Sequence, residues 1–133
     1  MKKEFVNPDG VFAHPHYTGV VTVTDPKTFH FIAGRCASDE EYNCVAPGDY
    51  LLQYRKVMEN LDIELRALGA GWGDIVFRRM YTLDVDRFLA VYDDPEATRY
   101  WTPGKHPPST LIGVTRLSNP DFLIEMDLLA VVG

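Results

Sequence analysis

Two carboxylates near the end of the chain have a spacing that suits chemistry. Glu125 and Asp127 are two residues apart in the run Leu123-Ile124-Glu125-Met126-Asp127, so a β-strand would place both side chains on one face. Just upstream, His106-Pro107-Pro108-Ser109-Thr110 leads into an apolar run that predicts another strand, with two hydroxyl side chains at its start. Carboxylates transfer protons and hydroxyls position ligands, so this segment is the candidate site.

Glu125 is the residue best placed to act as an acid or base. A carboxylate half-buried beside an apolar face is disfavoured in its charged form, and it can then pass a proton to a leaving nitrogen. The alternative is a carboxylate at the rim of a cleft that forms an ion pair with Arg78 or Arg116.

The cysteines and histidines do not form a recognisable metal or nucleophile motif. Cys36 and Cys44 lie eight residues apart and are expected to be free thiols, with no Cys–His partnership visible in the sequence. The pair His14-Pro15-His16 is too sparse for a zinc site. We therefore expect neither a metal nor a cofactor.

The composition of the chain limits which classes of protein it can belong to. At 133 residues, with 46% hydrophobic and 24% charged residues, residues 1–133 are expected to form one globular domain. The net charge of −6 makes nucleic acid an unfavourable partner. No apolar run approaches the roughly 20 residues of a membrane span, and Met1-Lys2-Lys3-Glu4 lacks the apolar core of a signal peptide, so we expect a cytoplasmic protein.

Periodicity predicts an α+β fold with the element order β-β-α-β-α-β-β. Residues 1–18 are interpreted as an irregular lead-in, and the Asp25-Pro26-Lys27 turn predicts a hairpin of the first two strands. An apolar stripe at three- and four-residue steps predicts a helix from Asp49, its N-cap, to Leu68. The other predictions are strands at Val20–Thr24, Thr28–Ala33, Asp74–Leu83, 110–117 and 122–132, and a helix from Val85 to about Trp101 interrupted near Asp93-Asp94-Pro95.

Side-chain alternation assigns faces to these strands. In the last strand, one face is apolar throughout: Phe122, Ile124, Met126, Leu128, Ala130 and Val132. The opposite face, with Leu123, Leu129 and Val131 beside the two carboxylates, is too apolar for free solvent. Since both helices are expected to cover one face of the sheet, the other face is expected to meet a second subunit. In the Asp74–Leu83 strand, alternation groups Ile75, Phe77, Tyr81 and Leu83 on one face.

An ordered set of short matches resembles the Rid/YjgF family, the reactive intermediate deaminases, also described as endoribonuclease L-PSP-like. The set covers roughly Tyr17 to Val132: Gly34, Gln53, Glu59-Asn60-Leu61, Gly69, Asp74, Tyr81-Thr82-Leu83-Asp84, Pro107 to Val114 and Ile124-Glu125. The resemblance implies a chorismate-mutase-like fold, assembled as a homotrimer around a central barrel. It also implies small-molecule clefts between neighbouring subunits.

The resemblance assigns roles to particular residues of this chain. Glu125 matches the acidic residue beside the reactive water, and Tyr17 is its expected catalytic companion. Gly34 and Thr110 would contribute to the substrate cleft. Tyr92 falls near a position where relatives carry an asparagine, although the spacing here is two residues longer.

One residue departs from the family pattern. The best-known members carry an arginine that grips a substrate carboxylate, and Ser109 occupies that position here. A hydroxyl cannot reproduce the two parallel hydrogen bonds of a guanidinium. Arg35, Lys105 and His106 are the cations considered as replacements, although alternation from Gly34 aims Arg35 away from the cleft.

The expected function is that of a Rid-type enzyme that hydrolyses an imine, an enamine or a related reactive metabolite. The replacement by Ser109 disfavours a small 2-imino acid as the substrate. A metabolite-binding module without turnover is the first alternative. A ribonuclease or translation inhibitor is the second, and the acidic balance argues against it.

Overall fold

Six strands and three helices follow one another in this computed structural model, which describes residues 1–133. The strands are β1 Lys2–Val6, β2 Val20–Thr24, β3 Thr28–Arg35, β4 Ile75–Thr82, β5 Ser109–Gly113 and β6 Ile124–Val132. The helices are α1 Tyr50–Ala67, α2 Val85–Leu89 and α3 Pro95–Thr98, with a 3-10 turn at Trp72–Asp74. None of the helices has the length and apolar character needed to cross a membrane.

The larger sheet has the strand order β3-β6-β4-β5. Strand β6 lies between β3 and β4 and is antiparallel to both, whereas β4 and β5 run parallel. The helices pack against the face that carries Ile124, Met126 and Leu128, all of which are buried. The predicted α+β class, with helices on one side of the sheet, is therefore confirmed, as is the inward face of β6.

Helix α1 agrees closely with the prediction from periodicity. Asp49 caps it by accepting a hydrogen bond from the backbone N–H of Leu52 at 3.0 Å, and Gly69 ends it with a φ of +67°. The middle of the predicted stripe is fully buried, at Tyr54, Met58, Leu61 and Leu65.

The lead-in and the hairpin were predicted wrongly. Strand β1 lies inside residues 1–18 and pairs with β2 in a separate two-stranded sheet, from Lys2 opposite Thr24 to Val6 opposite Val20. Strand β3 pairs with β6 instead of β2. The Asp25-Pro26-Lys27 turn is present, but it carries the chain from one sheet to the other. The residues of a turn predict only that the chain changes direction. The pairing partner of β3 is β6, which lies about a hundred residues further along the chain.

The predicted second helix is two short helices. Asp84 caps α2 and Asp94 caps α3, and Pro95 occupies the first turn of α3, where its missing N–H costs nothing. Arg55 of α1 holds Asp94 through two hydrogen bonds of 2.8 and 2.9 Å. The interruption at Asp93-Asp94-Pro95 was correctly placed, and the ion pair fixes it against α1.

Strand β4 contains a register shift that separates Ile75 from Phe77 and Tyr81, with which alternation grouped it. The shift lies between Ile75 and Phe77, so alternation counted from Ile75 fails after it. Beyond the shift, Arg78, Met80 and Thr82 face the helices and are buried, while Phe77 and Tyr81 face the other way. Arg78 therefore lies in the interior, on the same face of the strand as Ile75.

The face of the sheet away from the helices, here called the open face, exposes aromatic side chains. Phe29 and Phe31 are 51% and 82% exposed, and their rings stack with centroids 6.4 Å apart. Arg79 and Asp127 form an ion pair of 3.0 Å on the same face. An exposed apolar surface beside paired charges is typical of a surface that meets another protein.

Candidate functional site

Glu125 lies on the open face directly over Gly34. A Cβ atom built at Gly34 would come within 2.5 to 2.9 Å of the Oε2, Cδ and Cγ atoms of Glu125, closer than real Cβ atoms approach such groups. The Cys36 Sγ lies 3.3 Å from Glu125 Oε1 and donates a hydrogen bond to it. The missing side chain at position 34 and the thiol together position the carboxylate.

Glu125 is not held by a basic residue. No ion pair within 4.0 Å includes it, although nine such pairs occur elsewhere in the chain. Arg78 lies on the opposite face of the sheet, as alternation with its exposed neighbour Arg79 predicts. The rim ion pair considered from the sequence is therefore not formed with Arg78 or Arg116 in this chain.

The Cys36 thiol is a hydrogen-bond donor at neutral pH. It is 6% exposed. Burial raises its pKa strongly, and the hydrogen bond to the Glu125 carboxylate and that carboxylate's charge raise it further. A thiol that stays protonated is a weak nucleophile, so its role here is to orient the carboxylate.

Alkylation of Cys36 tests this assignment. Because the raised pKa moves thiolate formation to higher pH, we expect iodoacetamide at pH 8 to modify Cys36 at least about tenfold more slowly in the folded protein than in urea. In Glu125→Gln the negative charge is absent, so the pKa of Cys36 falls and labelling of the folded protein becomes faster. Peptide mass spectrometry gives both rates. Equal rates in folded and unfolded wild type would contradict the assignment.

Tyr17 and Ser109 line one cavity on the helix side of the sheet. This helix-side cavity has a volume of about 220 Å³, and its walls also include His14, Met80, Tyr92 and Leu111. Tyr17 stacks on His14 with ring centroids 4.7 Å apart and nearly parallel planes. The sequence predicted Tyr17 and Ser109 as site residues but did not place them together. No sequence pattern indicated that His14 and His16 line a cavity.

A second cavity, here called the arginine cavity, adjoins the helix-side cavity. It has a volume of about 210 Å³ and shares His16, Tyr92 and Asp93 with it. Arg78, Trp101 and His106 complete much of its wall. No three His, Cys, Asp or Glu side chains in the chain converge as metal ligands.

The remaining predicted ligand-binding residues lie elsewhere. Thr110 is exposed and is the β5 residue next to Ser109, so strand alternation places it on the open face. Arg35 forms an ion pair with Glu64 of α1, which agrees with the expectation that it points away from Gly34. Lys105 is exposed, whereas His106 is partly buried in the arginine cavity.

Two groups of candidate residues thus lie on opposite faces of one sheet. Ser109 pairs with Arg78 in the sheet, and both face the helices, whereas Glu125 pairs with Tyr81 on the open face. A single chain therefore does not bring Tyr17 and Glu125 into one cavity. A cleft that used both would combine the open face of one copy with the helix side of another.

Comparison with known proteins shows the family. The endoribonuclease L-PSP family model matches residues 12–132. A RutC family protein of Synechocystis is 30% identical over 105 residues, which are 78% of each chain. The crystal structure of YyfB from Yersinia pestis, a protein of unknown function of the conserved Rid family, superposes with a TM-score of 0.84 at 26% identity, covering 99% of this chain and 100% of that one.

A more distant structure supports the fold alone. RidA from an Antarctic Psychrobacter superposes with a TM-score of 0.67 at 17% identity, over 96% of this chain and 98% of that one. The family model, the RutC relative and the YyfB structure each match most of the chain, and the family match runs through the strands that carry Ser109 and Glu125. The chain belongs to the Rid/YjgF family, the family described as endoribonuclease L-PSP.

Proposed function

We propose that the protein hydrolyses an imine or enamine to a carbonyl compound and ammonia. The observation that carries the proposal is the Glu125 carboxylate, which is bonded to a neutral thiol, free of any cation and seated over a glycine. A carboxylate held in this way keeps its second oxygen for a water molecule. Membership of the Rid/YjgF family supports this choice of reaction class.

The chemistry requires one proton carrier. Water adds to the carbon of the C=N bond while Glu125 accepts one of its protons and passes it to nitrogen, which leaves a neutral tetrahedral carbinolamine. Glu125 then accepts the proton of the carbinolamine hydroxyl and gives it to nitrogen, so that the C–N bond breaks and ammonia leaves as the carbonyl forms. An enamine first becomes the imine by moving a proton from nitrogen to its β-carbon. Tyr17, stacked on His14, would orient the substrate from the opposite wall.

The proposal includes assembly as a homotrimer with its sites between copies. Two observations support it. Tyr17 and Glu125 lie on opposite faces of the sheet, and Phe29 and Phe31 are exposed on the open face, which also carries Glu125. Packing the open face of one copy against a neighbour would cover these rings and bring the two groups to one cleft.

Ser109 bears on the choice of substrate. Its hydroxyl lines the helix-side cavity and does not offer the paired donors with which an arginine holds a carboxylate. A small 2-imino acid anchored at position 109 is therefore not the proposed substrate. Any anionic end of the substrate must be held by another group.

An imine-hydrolysis assay tests the function. An amino-acid dehydratase would generate 2-aminoacrylate or 2-iminobutyrate in situ. An amino-acid oxidase, in the presence of catalase, would generate 2-imino acids with larger apolar side chains. Wild type is expected to accelerate hydrolysis of at least one of these, and Glu125→Gln to be slower by at least about tenfold.

Asp127→Asn is the matched control, since it removes a carboxylate two residues along the same strand face. Asp127 is already bonded to Arg79 and Tyr81, so this variant is expected to keep the wild-type rate. If wild type and Glu125→Gln are equally inactive on every imine while the protein still binds a metabolite, the proposal of an enzyme fails and the binding module replaces it.

A further inference from the structure

Arg78 is a buried cation without an anionic partner. It is 1% exposed, and it forms none of the ion pairs in the chain. Its Nη2 donates a hydrogen bond to the backbone carbonyl of His16, and its guanidinium lies over the Trp101 ring at 4.8 Å. Burying a charge without a counter-charge costs desolvation free energy, so the burial of Arg78 requires an explanation.

Three buried polar atoms without a hydrogen-bond partner belong to a cluster of residues that line the two adjoining cavities. They are Arg78 Nε, His106 Nδ1 and Ser109 Oγ, and they are the only such side-chain atoms in the protein. Buried polar groups are normally satisfied, because an unsatisfied one loses its hydrogen bonds to water without replacement. All three can donate a hydrogen bond, so each would be satisfied by an acceptor in the cavity that its residue lines.

The cluster lies next to the position of the missing family arginine. Arg78 on β4 is the register partner of Ser109 on β5, and both side chains face the helices. Asp93 is the one carboxylate among the residues that line the arginine cavity, and it is bonded to His16 Nε2 at 2.8 Å instead of Arg78. The anion that would neutralise Arg78 is therefore not supplied by the chain.

We propose that Arg78 is the carboxylate anchor of this protein, displaced by one strand from the position that Ser109 now occupies. His106 and Ser109 add neutral donors beside it. The inference rests on the proposed function only for the identity of the reaction, because the binding of a carboxylate can be measured without turnover.

The walls define the class of ligand. The helix-side cavity presents Met80, Tyr92 and Leu111, and the arginine cavity adds Trp101. One guanidinium among neutral donors matches the single charge of a carboxylate, whereas a phosphate carries more charge than one cation offsets. The expected ligand is a small organic monoacid with an apolar body.

Tryptophan fluorescence reports binding directly, since Trp101 contacts Arg78 and packs on Trp72, the other tryptophan, with centroids 4.7 Å apart. Butyrate is the probe and butyramide its neutral match, each titrated at constant ionic strength. We expect saturable binding of butyrate and at least about tenfold weaker binding of butyramide, as for loss of a charge-assisted hydrogen bond. Inorganic phosphate is expected to compete less well than butyrate.

Arg78→Met and Arg78→Lys are the test variants, with Arg99→Gln as the control. Arg99 also lies over an aromatic ring, that of Tyr100, but is exposed. We expect Arg78→Met to lose the preference for butyrate, Arg78→Lys to keep part of it, and Arg99→Gln to keep all of it. Far-ultraviolet circular dichroism shows which variants fold.

Two results would overturn the inference. One is equal affinity of the wild type for butyrate and butyramide, which decides the matter even if Arg78→Met does not fold. The other is a preference for butyrate that survives in folded Arg78→Met. Binding of butyrate by a protein that hydrolyses no imine would leave the anchor in place and remove only the proposed reaction.

Discussion

Gly34→Ala is expected to lower the rate of imine hydrolysis by about 100-fold while leaving the stability of the fold almost unchanged. The new Cβ would meet the carboxyl end of Glu125 at 2.5 to 2.9 Å. The end of a flexible side chain can swing aside, so the backbone need not move. A reacting group displaced by about 1 Å loses on the order of 10²-fold in rate.

The matched control for this variant is Gly73→Ala, whose added Cβ would contact nothing within 4 Å. Neither glycine has a positive φ, so alanine costs no backbone strain at either position. Thermal unfolding followed by circular dichroism, together with kcat/KM, separates the two effects. Full activity in Gly34→Ala would mean that the carboxylate over Gly34 does not take part in the reaction.

Mixing two inactive variants is expected to restore activity. If each site takes Tyr17 from one copy and Glu125 from its neighbour, Tyr17→Phe and Glu125→Gln supply complementary intact halves. Random association at equal amounts makes about a quarter of the sites complete in a cyclic assembly with one site per interface. Each variant alone has no complete site.

The measurement needs assemblies that contain both variants. The two variants would be co-expressed with different affinity tags, mixed assemblies would be purified through both tags in turn, and their rate would be compared with that of each pure variant. Double-tag purification removes the assemblies that contain only one variant. The mixed assemblies are therefore expected to hydrolyse the imine at about a quarter of the wild-type rate or faster. Mixed assemblies as inactive as the separate variants would contradict a site shared between copies.

The local sequence pattern correctly predicted the features that depend only on residues close together in the chain. The stripe of α1 and the inward face of β6 follow from side-chain period alone, and burial of Leu61, Leu65, Ile124 and Met126 agrees. The Asp49 cap is likewise a matter of four consecutive residues.

The pairing of the strands and their register could not be predicted from the local sequence pattern. Whether β3 joins β2 or β6 depends on long-range packing, and the shift after Ile75 inserts an irregularity that periodicity does not mark. Alternation separates Arg78 from Arg79 but does not indicate which of the two is buried, so the burial of Arg78 beside Ser109 became visible only in the structure. Ser109 and Glu125 were expected from the strand pattern and the family resemblance, but their positions on opposite faces became visible only in the structure.

The register of β4 against β5 has a consequence for how related sequences diverge. Arg78 and Ser109 are direct neighbours with side chains on one face, so an arginine at each position would place two cations side by side in a dry interior, where repulsion is weakly screened. Each position can gain an arginine at little cost only if the other lacks one. Sequences that share this strand pairing are therefore expected to carry an arginine at no more than one of the two positions.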